Sequence, residues 1–386
     1  MSPQSRLRLF YFLYYGSVGA YLPFFAAYLR GMGFTGEQIG NVQMVGPLVA
    51  APAALAWAAV ADRLGSPARA LRIAAVWAVA AAAFLPWART PLAVGAVMLF
   101  LALADRSVVP LVDSVSMELV AADPRLSYAR IRLFGSVGYI ALALALGVAL
   151  SARGNRPADP LVPLAFVACV AGYALLARRL PVLPPGGERP RLADLRALLS
   201  DRRLLGLLLA AAVHWGAAAP FHVFLGVYVR DLGQPSWIAG LAMAVGVGAE
   251  ILALLAFPRF EAHSTRTLYA VSFAVSAVRW LLVWRLGSAP LLVAVQLLHA
   301  FTFGLFWGAS VRAMGQLVPA RLRATGQALF SGLVFAGGNV VGYQLSGLGY
   351  DSYGSAAPLF GWAAVAELVA LLLAVALVQP GPRPRP

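Results

Sequence analysis

The chain has 386 residues, 61% of them hydrophobic and 12% charged, with a mean hydropathy of +0.78. A soluble domain carries about 25% charged residues, so these values exclude an ordinary soluble fold and place most of the chain in a bilayer. All 30 basic residues behind the net charge of +15 are arginines, most of them in short segments between apolar runs, which is a topology signal and not a nucleic-acid surface.

Apolar segments of membrane-spanning length recur from the start. The first, predicted over 8–30, is too long for a signal-peptide core and is interrupted by Pro23. The second, 36–61, ends in "AWAAVADRLGSPAR", which holds Asp62, Arg63 and Gly65. Helices follow near 69–88, 92–117, 128–151 and 160–180. The fourth carries Asp105 next to Arg106, read as a local ion pair, and Asp113 near its cytoplasmic end. Arg132 opens the fifth, so Asp113 and Arg132 can form a structural ion pair tying adjacent helices. The only cysteine, Cys169, lies in the sixth; it excludes an internal disulfide and a multi-cysteine metal site and takes a packing role.

A polar stretch, "LPPGGERPRLADLRALLSDRR", then separates two groups of six. It is predicted to be a cytoplasmic linker over 182–203 with a short amphipathic helix from Leu192. The halves are 1–181 and 204–386. The second half is predicted to place helices near 204–230, 236–258, 267–286, 290–315, 324–350 and 355–378. His214 and His222 lie eight apart in the first of these and are assigned to packing or pore lining, since no third metal ligand accompanies them. Charges inside the apolar runs concentrate in the next three: Glu250, Arg279, and His299 with Gln296 three residues before it on the same face. Each such charge costs about 2.5–3.5 kcal/mol at the bilayer centre, so each needs a partner or a wet cavity. Trp280 and Phe303 flank this set. In "FAGGNVVGYQLSGLGY", Gly338 and Gly342 form a GxxxG, which serves close helix packing and is compatible with a hinge.

At an offset of 200 residues, Gly16, Tyr28, Arg30, Gly33, Gly40 and Gly46 recur as Gly216, Tyr228, Arg230, Gly233, Gly240 and Gly246. Parallel six-helix halves mark a secondary transporter whose site lies between them. The matching positions for Glu250, Arg279 and His299 are Ala50, Val79 and Leu99, so the charged set belongs to one half only. With the N-terminus inside, 22 of the arginines fall on the cytoplasmic side and six outside. Both termini are therefore expected in the cytoplasm.

Asp62, Arg63 and Gly65 resemble the D-R-x-G element of the major facilitator superfamily. The resemblance implies a conformational latch in which the aspartate faces the N-terminal end of the eleventh helix; Ala58 and Ser66-Pro67 depart from the usual pattern. Glutamate, arginine and histidine on helices 8, 9 and 10 resemble the proton-coupling set of the lactose-permease-like branch, including the 20-residue step from arginine to histidine. That branch adds a carboxylate one turn beyond the histidine, where this sequence has Thr302. The motifs "YLPFFAAYLRGMG", "PLVDS", "RLFGSVG", "VRW" and "VQLLH", with Glu250 after Ala249, resemble the phenylpropionic acid transporter family over nearly the whole chain.

The expectation is an all-α membrane protein, a twelve-helix major facilitator transporter of the bacterial inner membrane, and not an enzyme. No H-E-x-x-H, G-x-S-x-G or GxGD motif is present, and the absence of lysine excludes a Walker A loop and a pyridoxal Schiff base. No metal or cofactor is expected. Its partners are a small-molecule substrate, protons and lipid, with the monomer as functional unit. The resemblance implies an aromatic acid such as phenylpropionate; a sugar, a nucleoside or an export role stays open. Glu250 and His299 are assigned to proton coupling, with Arg279 expected to lean on ionised Glu250. Arg279, Gln296, Trp280 and Phe303 are assigned to substrate binding, and Asp113 with Arg132, which resemble the sugar-binding pair of the lactose-permease-like branch, are added to them by that resemblance.

Overall fold

A computed structural model describes residues 1–123, 125–182, 198–319 and 322–379. Regular structure among them is helical throughout. Eleven helices are long and apolar enough to cross a membrane, which makes this a multi-pass membrane protein: α1 Pro3–Gly31, α2 Gly36–Leu64, α3 Pro67–Trp87, α4 Pro91–Ala122, α5 Tyr128–Ala152, α7 Arg202–Asp231, α8 Trp237–Phe260, α9 Thr265–Leu286, α10 Ala289–Leu317, α11 Thr325–Tyr353 and α12 Ala357–Leu377. Between α5 and α7 lies a shorter apolar helix, α6, Leu161–Ala177. Its 17 residues rise about 26 Å, the lower limit for a span. Each lies where the apolar run predicts it; α4 continues to Ala122, beyond the expected end near 117. The amphipathic helix expected from Leu192 lies outside the described residues.

The chain packs as two compact units, Met1–Glu188 with Pro235–Ala244, and Arg189–Gln234 with Val245–Pro386. In the first, α1 runs along α5 and α6. Gly138 of α5 meets the Phe12 carbonyl and Gly19 of α1 meets the Tyr139 carbonyl, so a side chain at either glycine would push the backbones apart. The start of α8 belongs here too: the Ser236 and Trp237 amides donate to Asn155 Oδ1 (2.8 Å) and Ser151 Oγ (3.1 Å).

The second unit repeats these pairings, with α7 along α11 and α12. A Cβ on Gly342 would lie 2.6 Å from the Gly216 carbonyl, and one on Gly338 2.9 Å from that of Ala212. The GxxxG is thus the surface on which α11 meets α7.

Local geometry repeats as well. Gly33 and Gly233 end α1 and α7 at φ of 91° and 66°, a left-handed turn that glycine adopts without strain. Their amides bond the Arg30 and Arg230 carbonyls. Both first helices break near a proline, α1 after Tyr21 before Pro23 and α7 at Ala218 before Pro220. Gly46 admits the guanidinium of Arg106 from α4, and Gly246 admits the ring of His299 from α10.

Two helices of the second unit carry wide turns of π geometry, Ala300–Leu305 in α10 and Ser331–Gly337 in α11. Such turns are frequent at functional sites. The first follows His299 directly.

Candidate functional site

The charged set of the second unit is drawn together around Arg279. This residue points inward from α9 and is 1% exposed. Its Nη1 donates to Thr302 Oγ1 (2.8 Å) and to His299 Nδ1 (3.0 Å), and its Nη2 donates to Gln296 Oε1 (2.5 Å). Gln296 Nε2 donates to the Leu292 carbonyl, which turns Oε1 toward the arginine. The guanidinium lies over the rings of Trp280 (4.3 Å) and Phe221 (4.7 Å), a cation–π arrangement that offsets part of its desolvation. Arg279 Nε finds no hydrogen-bond partner among the described residues.

His299 stands between arginine and glutamate. Because Arg279 donates to its Nδ1, that nitrogen offers a lone pair and the ring N–H is at Nε2. Nε2 lies 3.6 Å from Glu250 Oε2. Glu250 and Arg279 are therefore linked through a neutral imidazole, whereas the sequence suggested that one leans on the other. Phe303 stacks beside His299 at 5.5 Å and continues to Trp215 at 5.7 Å, an aromatic wall at the edge of the polar set.

A second carboxylate was overlooked in the sequence. Glu367 of α12 is fully buried. Its Oε2 is 2.8 Å from His214 Nδ1, and its Oε1 accepts from Trp280 Nε1 at 3.1 Å. His214 Nε2 reaches the Thr302 carbonyl at 2.9 Å. The stretch "AAVAELVALLL" isolates this glutamate among apolar residues as "AVGVGAEILALLAF" isolates Glu250, so the same signal could have found it.

The first unit holds a tyrosine–carboxylate cluster of its own. Tyr11 Oη donates to Asp113 (2.6 Å) and contacts Ser116 Oγ (3.0 Å). Arg132 bonds Tyr15 Oη and lies over the rings of Tyr15 (3.9 Å) and Tyr11 (5.4 Å). Asp113 and Arg132 thus meet at Tyr11. Asp105 accepts from Tyr173 (2.9 Å) and Tyr14 (3.3 Å), while Arg106 extends to Gly46. By sequence Tyr11, Tyr14 and Tyr15 could line a cavity, but such rings usually anchor helix ends at the interface, and nothing local marks them as partners of the carboxylates. At the end of α2, Asp62 and Arg63 are exposed and Gly65 closes the helix at φ 60°.

A cavity of about 810 Å³ between α7, α11 and α12 is lined by Gly216, Gly338, Leu345 and Trp362 among others. None of the charged set lines it, and its rim of exposed apolar side chains suits lipid better than a polar solute.

The family described as MFS_1 like matches residues 4–361. The chain belongs to that family of the major facilitator superfamily. This major facilitator transporter is 28% identical over 356 residues to the "Probable 3-phenylpropionic acid transporter" of Escherichia coli (strain K12), covering 90% of this chain and 91% of that one. It is 27% identical over 327 residues to the maltose permease of Geobacillus stearothermophilus, covering 84% and 82%. Among solved structures, a mutant of the nucleoside transporter NupG superposes with a TM-score of 0.87 at 18% identity, covering 98% of this chain and all of the other. The last likeness shows the fold. The resemblance to the phenylpropionic acid transporter family, carried by short motifs, holds over nearly the whole chain.

Proposed function

We propose that this transporter carries a small aromatic carboxylic acid together with a proton into a bacterial cell, across the inner membrane, with both termini cytoplasmic. One observation carries the reading. Arg279 is a buried guanidinium between two aromatic faces, its hydrogen-bond acceptors are all neutral, and its Nε lacks a partner among the described residues. Such a group binds a carboxylate strongly, and the rings beside it suit an aromatic body. The 28% identity to a relative described as a phenylpropionic acid transporter points to the same chemistry.

Coupling follows from charge. With Glu250 ionised, Arg279 is balanced through His299. When Glu250 takes a proton that balance is lost, and the substrate carboxylate restores it. The proton on Glu250 then offsets the charge of the monoanion. Asp113 and Arg132 serve as substrate contacts of the first half, and Asp62, Arg63 and Gly65 as the latch.

Uptake of labelled phenylpropionate into proteoliposomes, with and without an inward proton gradient, tests this. Accumulation is expected only with the gradient. Glu250→Gln should abolish accumulation and spare exchange between equal pools; undiminished uphill transport by that variant would remove Glu250 from the mechanism. A second reading, a neutral sugar or nucleoside, is favoured by the maltose permease relative. It wins if maltose or a nucleoside accumulates and the acid does not, and outward pumping would instead mark an exporter.

A further inference from the structure

The His214–Glu367 pair can hold a proton of its own. The Thr302 carbonyl can only accept, so the 2.9 Å contact requires a hydrogen on His214 Nε2. The 2.8 Å contact between His214 Nδ1 and Glu367 Oε2 requires one more, on either atom. The pair as it stands therefore contains one removable proton and is neutral overall, whether written as imidazolium–carboxylate or imidazole–carboxylic acid. Removing that proton with the ring unchanged would set two lone pairs against each other in a site where Glu367 is fully buried and His214 only 3% exposed. The remaining hydrogen goes to Nδ1, because a bond to a carboxylate is stronger than one to a carbonyl. His214 then lets go of Thr302.

Thr302 belongs to both clusters. Its hydroxyl accepts from Arg279 and its carbonyl from His214. It sits in the π turn of α10, where the Phe306 amide bonds the Phe303 carbonyl. The charged or titratable groups that act on Glu367 are His214 from α7 and Arg279 from α9, and those that act with His214 include His222 of α7 and His299 of α10. The positive charge of Arg279 favours the negative pair left when the proton departs.

We propose that Glu367 and His214 form a second proton-carrying site of this transporter, and that its proton controls Arg279 through Thr302. The proton leaves to water, the pair passes from neutral to singly negative, and the Thr302 carbonyl is released. This rests on the proton-coupled reading above and adds a carrier to it.

Full-length protein with isotope-labelled histidine rings, reconstituted in liposomes and titrated from acid to alkaline, tests the proposal by solid-state NMR. His214 is assigned by its loss in His214→Gln. Two ring nitrogens engaged by hydrogen at the acid end and Nδ1 alone at the alkaline end are expected. The change should persist in Glu250→Gln and vanish in Glu367→Gln. A His214 signal constant wherever the protein stays folded overturns the proposal, and this measurement needs no folded variant of Glu367. In transport, Glu367→Gln should lose accumulation completely while exchange continues, and Glu367→Asp should restore part of it. A wild type indifferent to the gradient sinks the proton-coupled reading itself. A gradient-driven wild type with normal accumulation by Glu367→Gln overturns the second site alone.

Discussion

At the scale of single residues, the arrangement around Arg279 separates charge from geometry. Lysine keeps the positive charge but has no planar fork to engage Thr302, His299 and Gln296 together. Arg279→Lys should weaken binding of the acid by roughly tenfold to a hundredfold, the size expected for about 1.5–3 kcal/mol of lost charged hydrogen bonding. Binding of the neutral amide analogue should change less. Calorimetry on detergent-solubilised protein measures both, and equal losses would make Arg279 structural. Glu250, Arg279, His299 and Gln296 were legible in the sequence because a charge or amide in an apolar run demands a reason. Their partners were less so. Thr302, Tyr11 and Tyr15 are types that membrane helices carry for many purposes, and only the folded chain shows which of them meets a charge.

Asp159 illustrates a different balance outside the membrane. Burial pushes its carboxyl up, but the Arg153 guanidinium at 2.8 Å and the Leu161 amide at 2.9 Å outweigh this and hold it below the usual range. Its folded value is depressed, so its stabilising contribution is complete above the unfolded value of about 3.9 and is lost as pH falls through the folded one. Asp159→Asn should melt earlier than wild type at neutral pH. The two melting temperatures should converge in strong acid, and a constant gap would contradict the assignment.

At the scale of elements, helix positions follow from the apolar runs, and the breaks in α1 and α7 from Pro23 and Pro220. The π turns do not follow. "AFTFGL" contains no proline or charge, and its wide turn accompanies the bonds that His214 and Arg279 make to Thr302. Contacts distant in sequence leave no local mark. The meeting of α7 and α11 is legible in part: GxxxG announces a close approach without saying to which helix. Gly342→Leu should lower the melting temperature measured in detergent, consistent with the roughly 1–3 kcal/mol that overpacking costs. Gly349→Ala, whose Cβ would meet only the Leu359 side chain, should cost less. A Gly342→Leu protein that melts with wild type would mean that α11 moves away from α7 freely.

At the scale of the whole molecule, a six-helix repeat has kept its turns and pairings while its polar residues have diverged. One half concentrates arginine, histidines and glutamates, the other tyrosines around Asp105 and Asp113. The repeated glycines made the common plan readable, and the lack of matching charges made the division readable. Asp62, exposed at the end of α2, is proposed above as part of the latch. Asp62→Asn should shift the proportion of outward-open molecules with little change in substrate affinity. Since Cys169 is buried, a single cysteine introduced at the helix ends opposite Asp62 can report that proportion by thiol labelling. A large affinity loss with unchanged labelling would place Asp62 in binding instead.

The π turn after His299 also bears on how the chain compares with its relatives. A π turn holds one residue more than the α turn of the same angle. Deleting one residue from Ala300–Leu305 should leave a continuous α-helix able to span the membrane and confine the change to this turn, because an α turn closes with one residue fewer. Thr302 would leave Arg279 while His299 stayed. A relative lacking the extra residue would therefore align on either side of this point only with a gap, and positions matched across it without one would be neighbours in register but not in space.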